Sequence, residues 1–67
     1  MPTITVILDN HVFRWAGGTF IAVWTTARTD EHVPDDMIQV PASLNRSQAG
    51  REDVRRIARD WIEQRST

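Results

Sequence analysis

Cysteine and lysine are absent from this 67-residue chain, and each absence removes a kind of chemistry. Without cysteine there is no disulfide framework to help a fold this small, a usage that fits a reducing, cytoplasmic setting. With neither residue present, two of the side chains used for nucleophilic catalysis are missing, and no nucleophile-elbow motif surrounds any serine. Glycine and proline number three each, and the pair Gly17-Gly18 stands alone, with no glycine-rich phosphate loop around it. No apolar run approaches the roughly 20 residues that span a bilayer. The N-terminal MPTITVILDN has no basic leader ahead of an apolar core, so the sequence reads as a mature chain without a membrane segment. Net charge is −1, too small for the whole-molecule field to draw in nucleic acid. Internal repeats and low-complexity tracts are also missing. On this inventory the chain is expected to be non-enzymatic, with no cofactor and no metal.

The basic residues that do occur are all arginine, eight of them. Arginine suits bidentate contacts to carboxylate or phosphate, but a GC-rich coding sequence of the actinobacterial or phage kind produces the same bias without functional meaning.

Sixty-seven residues make a single small domain, 1–67, close to the size at which one core just offsets the entropy of ordering the chain. The pattern predicts an α+β fold: an antiparallel sheet of three to four strands packed by one C-terminal helix. TITVIL is rich in β-branched residues and predicts a strand over 3–8. Asp9-Asn10 suits a tight turn, HVFRW a second strand over 11–15, and TFIAVWTTA a third over 19–27. Gly17-Gly18 supplies the positive φ angles of a two-residue hairpin turn. RTDEHVPDD, residues 28–36, reads as a polar loop, MIQV as a short edge strand over 37–40 closed by Pro41, and residues 42–50 as a connector.

From about Gly50 the apolar period lengthens from two to 3.6. Val54, Ile57, Ala58 and Trp61 form the stripe of an amphipathic helix over about 50–64, with Ser66-Thr67 frayed beyond it. Gly50 or Ser47 serves as its N-cap, Glu52 and Asp53 complement the dipole in its first turn, and Glu52–Arg56 and Arg59–Glu63 are spaced as i, i+4 ion pairs.

The hairpin carries the functional argument. A two-residue turn at Gly17-Gly18 sets Trp15 against Phe20, Phe13 against Ala22 and His11 against Trp24. His11, Phe13, Trp15, Phe20 and Trp24 then share one face, and Val12, Ile21 and Val23 share the other, interrupted by Arg14. A three-residue Ala16-Gly17-Gly18 turn shifts the pairing by one and mixes the sets. Either way both faces are apolar, and one helix covers only one of them. Phe13, Trp15, Phe20 and Trp24 are therefore the expected partner-binding residues, in a homodimer or against a dedicated protein partner. The alternative is that loop 28–36 and connector 41–50 fold back over the second face.

Arg51, Arg55 and Arg59 recur every four residues as a ridge beside the helix stripe, able to meet phosphates or an acidic protein surface. The acidic residues of the same helix favour a solvated, salt-bridged face instead. His11 and His32 have no second strong ligand at a useful spacing. Asp30, Asp35 and Asp36 lack the spaced oxygens and central glycine of a calcium loop, so charges guarding strand ends explain them better.

The order strand, strand, strand, helix resembles the HicB-like antitoxin fold, a partial double-stranded-RNA-binding-domain architecture. The resemblance rests on TITVILD as first strand, GGTFIAVW as a later one and GREDVRRIARDWIEQ as the helix. In that helix Glu52-Asp53-Val54 and Ala58-Arg59-Asp60-Trp61-Ile62 stand where the family often reads similarly. The resemblance implies a non-enzymatic protein that dimerises and masks a partner, such as a toxin nuclease or another host protein. A three-stranded sheet followed by a helix also looks like the arm-site DNA-binding domain of some phage integrases, which implies nucleic-acid binding through the sheet. Only Arg14 and Arg28 lie on or beside the strands to serve that reading.

Overall fold

A computed structural model describes residues 3–28 and 32–66. Strands β1 (Ile4–Leu8), β2 (His11–Trp15), β3 (Phe20–Thr25) and β4 (Asp36–Gln39) form one antiparallel sheet in the order β1-β2-β3-β4. A single helix, α1 (Arg51–Ser66), packs on one side of it. The expected α+β architecture is present, a two-layer slab with extents of 31 × 28 × 16 Å.

β1 and β2 are joined as the sequence suggests. Asp9 and Asn10 have φ values of 49° and 64°, the paired left-handed conformation of a two-residue type I′ turn. This fixes the register from Leu8↔His11 to Ile4↔Trp15.

The β2–β3 register differs from the expected one. His11 pairs with Thr25, Phe13 with Val23 and Arg14 with Ala22, one residue away from the two-residue-turn pairing and in the opposite direction from an Ala16-Gly17-Gly18 turn. Of the glycine pair, Gly17 alone has positive φ, at 89°, and the loop between the strands runs from Ala16 to Thr19. A one-residue slip turns every β3 side chain to the other face. Phe13 and Trp15 therefore lie with Ile21 and Val23 beneath α1, while Phe20 and Trp24 lie on the opposite face. One physical reason favours this arrangement: it lets the enclosed Trp15 indole N–H donate to the Gly18 carbonyl at 2.9 Å, satisfying the one polar group of that side chain.

β3 stops at Thr25 rather than Ala27 because its neighbour begins at His11. After the Thr26 N–H bonds the Asn10 carbonyl, no β2 residue remains to pair, and Thr26–Arg28 turns into a 3₁₀ segment. β4 falls within a residue of the expected span, and the Val40 N–H donates to Thr19 before Pro41 closes it.

The core lies between the sheet and α1. Val6, Phe13, Trp15, Ile21, Val23, Val40, Val54 and Ala58 are its buried members. Val54 and Ala58 come from the expected helix stripe, whose other two members, Ile57 and Trp61, are half-buried against the cluster. Gly50 is the N-cap: its carbonyl accepts from the Asp53 and Val54 N–H groups. The Asp53 carboxylate reaches back to the Gly50 N–H at 3.0 Å, the N3 half of a capping box, with no side chain on Gly50 to supply the other half. The same carboxylate binds Arg56 at 2.9 Å, so Arg56 pairs at i, i+3 with Asp53 rather than with Glu52. Arg59 and Glu63 form no ion pair among the described residues. Of the residues expected to fray, Ser66 closes α1 and Thr67 lies outside the described residues.

Candidate functional site

The four aromatics expected to form one binding face are divided between two. Phe13 and Trp15 are fully buried, at 0% exposure each, and cannot meet a partner while the domain is folded. Phe20 and Trp24 stand on the side of the sheet away from α1. From the strand registers this second face carries Thr5 and Ile7 from β1, Val12 and Arg14 from β2, Phe20, Ala22 and Trp24 from β3, and Met37 and Gln39 from β4.

Its apolar members run diagonally across the face, from the Ile7–Val12–Trp24 row through Ala22 and Met37 to Phe20, with Arg14 beside them. Val12 and Trp24 are cross-strand neighbours and are nearly enclosed, at 5% and 9% exposure. Ile7, Phe20 and Met37 are 64%, 48% and 53% exposed. Arg14 is the only charged strand residue on this face, and its guanidinium lies over the Trp24 ring, 5.2 Å from the centroid, where the ring quadrupole offsets part of its charge. Ile7 and Met37 were missed by the sequence reading, which followed aromatics. The signal that could have found them is strand alternation, which sets Ile7 opposite to Val6 and Leu8.

The connector does not cover this face. Leu44 and Ala49 pack against the core cluster on the helix side, so residues 41–50 extend the roof already supplied by α1. In loop 28–36, residues 29–31 lie outside the described residues, and the Val33 side chain, 74% exposed, adds no cover of its own.

Asp35 and Asp36, at the end of that loop, have structural tasks. Asp35 Oδ2 accepts the Thr25 N–H at 2.8 Å, replacing a ladder hydrogen bond at the end of β3, and Oδ1 lies 3.3 Å from Arg28. Asp36 Oδ1 accepts the Met37 N–H at 2.8 Å. Its Oδ2 accepts from Arg65 and from the Trp61 indole. The Asp36 carboxyl is held below the ordinary aspartate range, first by the Met37 N–H, with Arg65 and Trp61 adding and partial burial opposing. Asp30, the third carboxylate weighed for a cation, lies outside the described residues. Among the described residues no group of His, Asp and Glu is arranged to hold a metal. His32 is exposed. His11 spends its Nδ1 on the Asp9 carbonyl at 2.8 Å and its ring edge on Trp61, 5.2 Å between centroids.

Trp61 ties these features together. It meets Phe13 edge to face at 5.6 Å and carries the Arg65 guanidinium over its ring at 4.1 Å, so α1 is fastened at its C-terminal end to both β2 and β4.

Arg51, Arg55 and Arg59 are exposed along one flank of α1, and none of them makes an ion pair among the described residues. The solvated salt-bridged face expected by default is therefore confined to Arg56 with Asp53, and the ridge stands apart from it. Arg51 and Arg55 line an open groove of about 370 Å³ with Thr5, Val6 and Ile7 of β1. No helix is long and apolar enough to cross a membrane among the described residues.

Compared with known proteins, the chain matches no family model, no curated protein and no solved structure.

Proposed function

We propose that this chain is a small, non-enzymatic protein-binding regulator of the cytoplasm that dimerises through the sheet face left uncovered by α1. The observation that carries the reading is the exposure of Ile7, Phe20 and Met37 around the Val12–Trp24 pair, on a face with a single strand charge. A soluble monomer rarely leaves such a surface open, and contiguous apolar patches of this kind mark association sites. The dimensions fit as well. The slab is 31 by 28 Å across its broad side, room for the roughly 800 Å² per partner of a standard interface. An isologous pairing brings the same patch from each copy together, with Ile7 at one end of the patch, Phe20 and Met37 at the other, and Arg14 between them over the Trp24 ring. Masking of a further protein partner, such as a toxin nuclease, is the role that the HicB-like resemblance implies, and it belongs to this reading as a proposal.

Sedimentation equilibrium across a wide concentration range tests it, with Phe20→Asp beside the parent chain. The parent should sediment as a dimer and the variant as a folded monomer. A parent chain that remains monomeric at high concentration and binds no hydrophobic dye overturns the reading.

A second reading, nucleic-acid binding through Arg51, Arg55 and Arg59, draws on the absence of ion pairs along that ridge. Salt-sensitive retention of DNA or RNA, with a slope that falls as these arginines are removed, would support it.

A further inference from the structure

The sheet has two edges, and the chain treats them differently. β4 is four residues long, is followed by Pro41, and has its Met37 N–H taken by the Asp36 carboxylate. Such devices blunt an edge against pairing. β1 is one residue longer; Pro2 stands two places before it in sequence, as Pro41 stands two places after β4, but among the described residues no side chain takes its outward N–H groups. Leu8 and His11 flank a two-residue turn and so form a hydrogen-bonded pair, which makes Val6 and Ile4 the next β1 residues bonded to β2. The N–H and C=O groups of Thr5 and Ile7 therefore point outward from the edge. Beside them stand Arg51 and Arg55, lining the same groove and making no ion pair among the described residues.

We infer that the β1 edge is a docking site for an extended acidic peptide segment, which adds to the sheet as a fifth strand and places alternate carboxylates on Arg51 and Arg55. Spacing supports the match. Arginines four apart on a helix are separated by about 6 Å along its axis, and side chains two apart on a strand by about 6.8 Å. α1 lies principally on β1, so the added strand runs beneath the ridge. Its side chains opposite Val6 and Leu8 rise on the helix side, where the guanidinium groups are. Those opposite Thr5 and Ile7 fall on the other side, next to the exposed Ile7 side chain. The segment that fits alternates acidic and apolar residues. Main-chain hydrogen bonds supply affinity and the alternate positions supply specificity, as in other strand-addition complexes. A second copy of β1 is the wrong occupant, because a two-fold β1–β1 pairing sets the two arginine ridges side by side with no acid between them.

This inference is independent of dimerisation through the uncovered face. The test uses the whole chain and a short fluorescent peptide alternating glutamate and valine, with binding read by anisotropy and amide exchange read by NMR. Binding is expected to protect the Thr5 and Ile7 amides from exchange. Arg51→Gln with Arg55→Gln, both exposed helix positions, should weaken binding by about tenfold, the sum of two partly exposed ion pairs. N-methylation of the peptide along the edge facing β1 should abolish binding, while N-methylation along the other edge should leave it unchanged. Sedimentation of the double variant, expected to match the parent, keeps the result separate from the dimer. Equal binding of both N-methylated peptides, or unchanged affinity in the double variant, overturns strand addition. So does displacement of the peptide by duplex DNA or RNA with higher affinity than the peptide itself, which would assign the ridge to phosphates.

Discussion

Truncating Phe13 and Phe20 in turn separates the observed hairpin register from the neighbouring one, because the two rings would share a face in the alternative and lie on opposite faces here. Phe13 is at 0% exposure against Trp61, so Phe13→Ala loses the whole transfer free energy of the ring and leaves a cavity, about 3–5 kcal/mol. Phe20 is already 48% exposed. Burying a phenylalanine fully is worth about 1.5–3 kcal/mol, so the half that Phe20 buries contributes about 1 kcal/mol, and the site opens to water rather than to a void. A chain of this length has a total stability of about 3–10 kcal/mol, and each kcal/mol moves the melting temperature by about 4–8 °C. Phe13→Ala should therefore melt at least about 12 °C below the parent or fail to fold. Phe20→Ala should fall by less than about 8 °C. Thermal and urea unfolding followed by circular dichroism, at a dilution where association does not contribute, reads both. Equal losses, or a larger loss at Phe20, would place both rings in one environment and refute the register.

Three further outcomes follow from local geometry. Gly17→Ala should cost about 1–2 kcal/mol in urea unfolding, since φ is 89° there, whereas Gly18→Ala, with open space around the added carbon, should be neutral or slightly stabilising. Asp36 has a folded pKa below its unfolded value, near 3.9, so its contribution is present above that value and is lost as pH falls through the lower folded one; acid titration of the parent should show this loss, and Asp36→Asn should be less stable at neutral pH with no such step. Asp53→Ala removes both the reach-back to Gly50 and the Arg56 partner and should lower stability by about 0.5–2 kcal/mol, seen as early loss of helical ellipticity on heating.

The elements most legible from the residues were those with one dominant pattern. The stripe Val54, Ile57, Ala58, Trp61 has a single apolar face, so its packing side follows from periodicity alone. Asp9-Asn10 joins strands of fixed parity and tolerates left-handed angles, so the first register follows too. β2 and β3 lack this property. Both of their faces are apolar, and a hydrophobic pattern specifies register only where one face is clearly polar. The register agrees with the Trp15 indole, whose hydrogen bond to Gly18 depends on a loop shape that residue types do not encode. Leu44 and Ala49 gave no period at all, and their burial became visible only with the chain folded back. The pairing of the β1 edge with Arg51 and Arg55 joins residues more than forty positions apart, a proximity that sheet order and helix placement create.

The association account can be checked at residue level in a mixed sample of isotope-labelled and unlabelled chains, by recording only nuclear Overhauser effects that pass between copies. The account predicts cross-peaks from Phe20, Met37 and Ile7 of one copy to the same residues of the other. Cross-peaks that instead arise from the helix surface, or a sample that tumbles as a monomer with none, would contradict it.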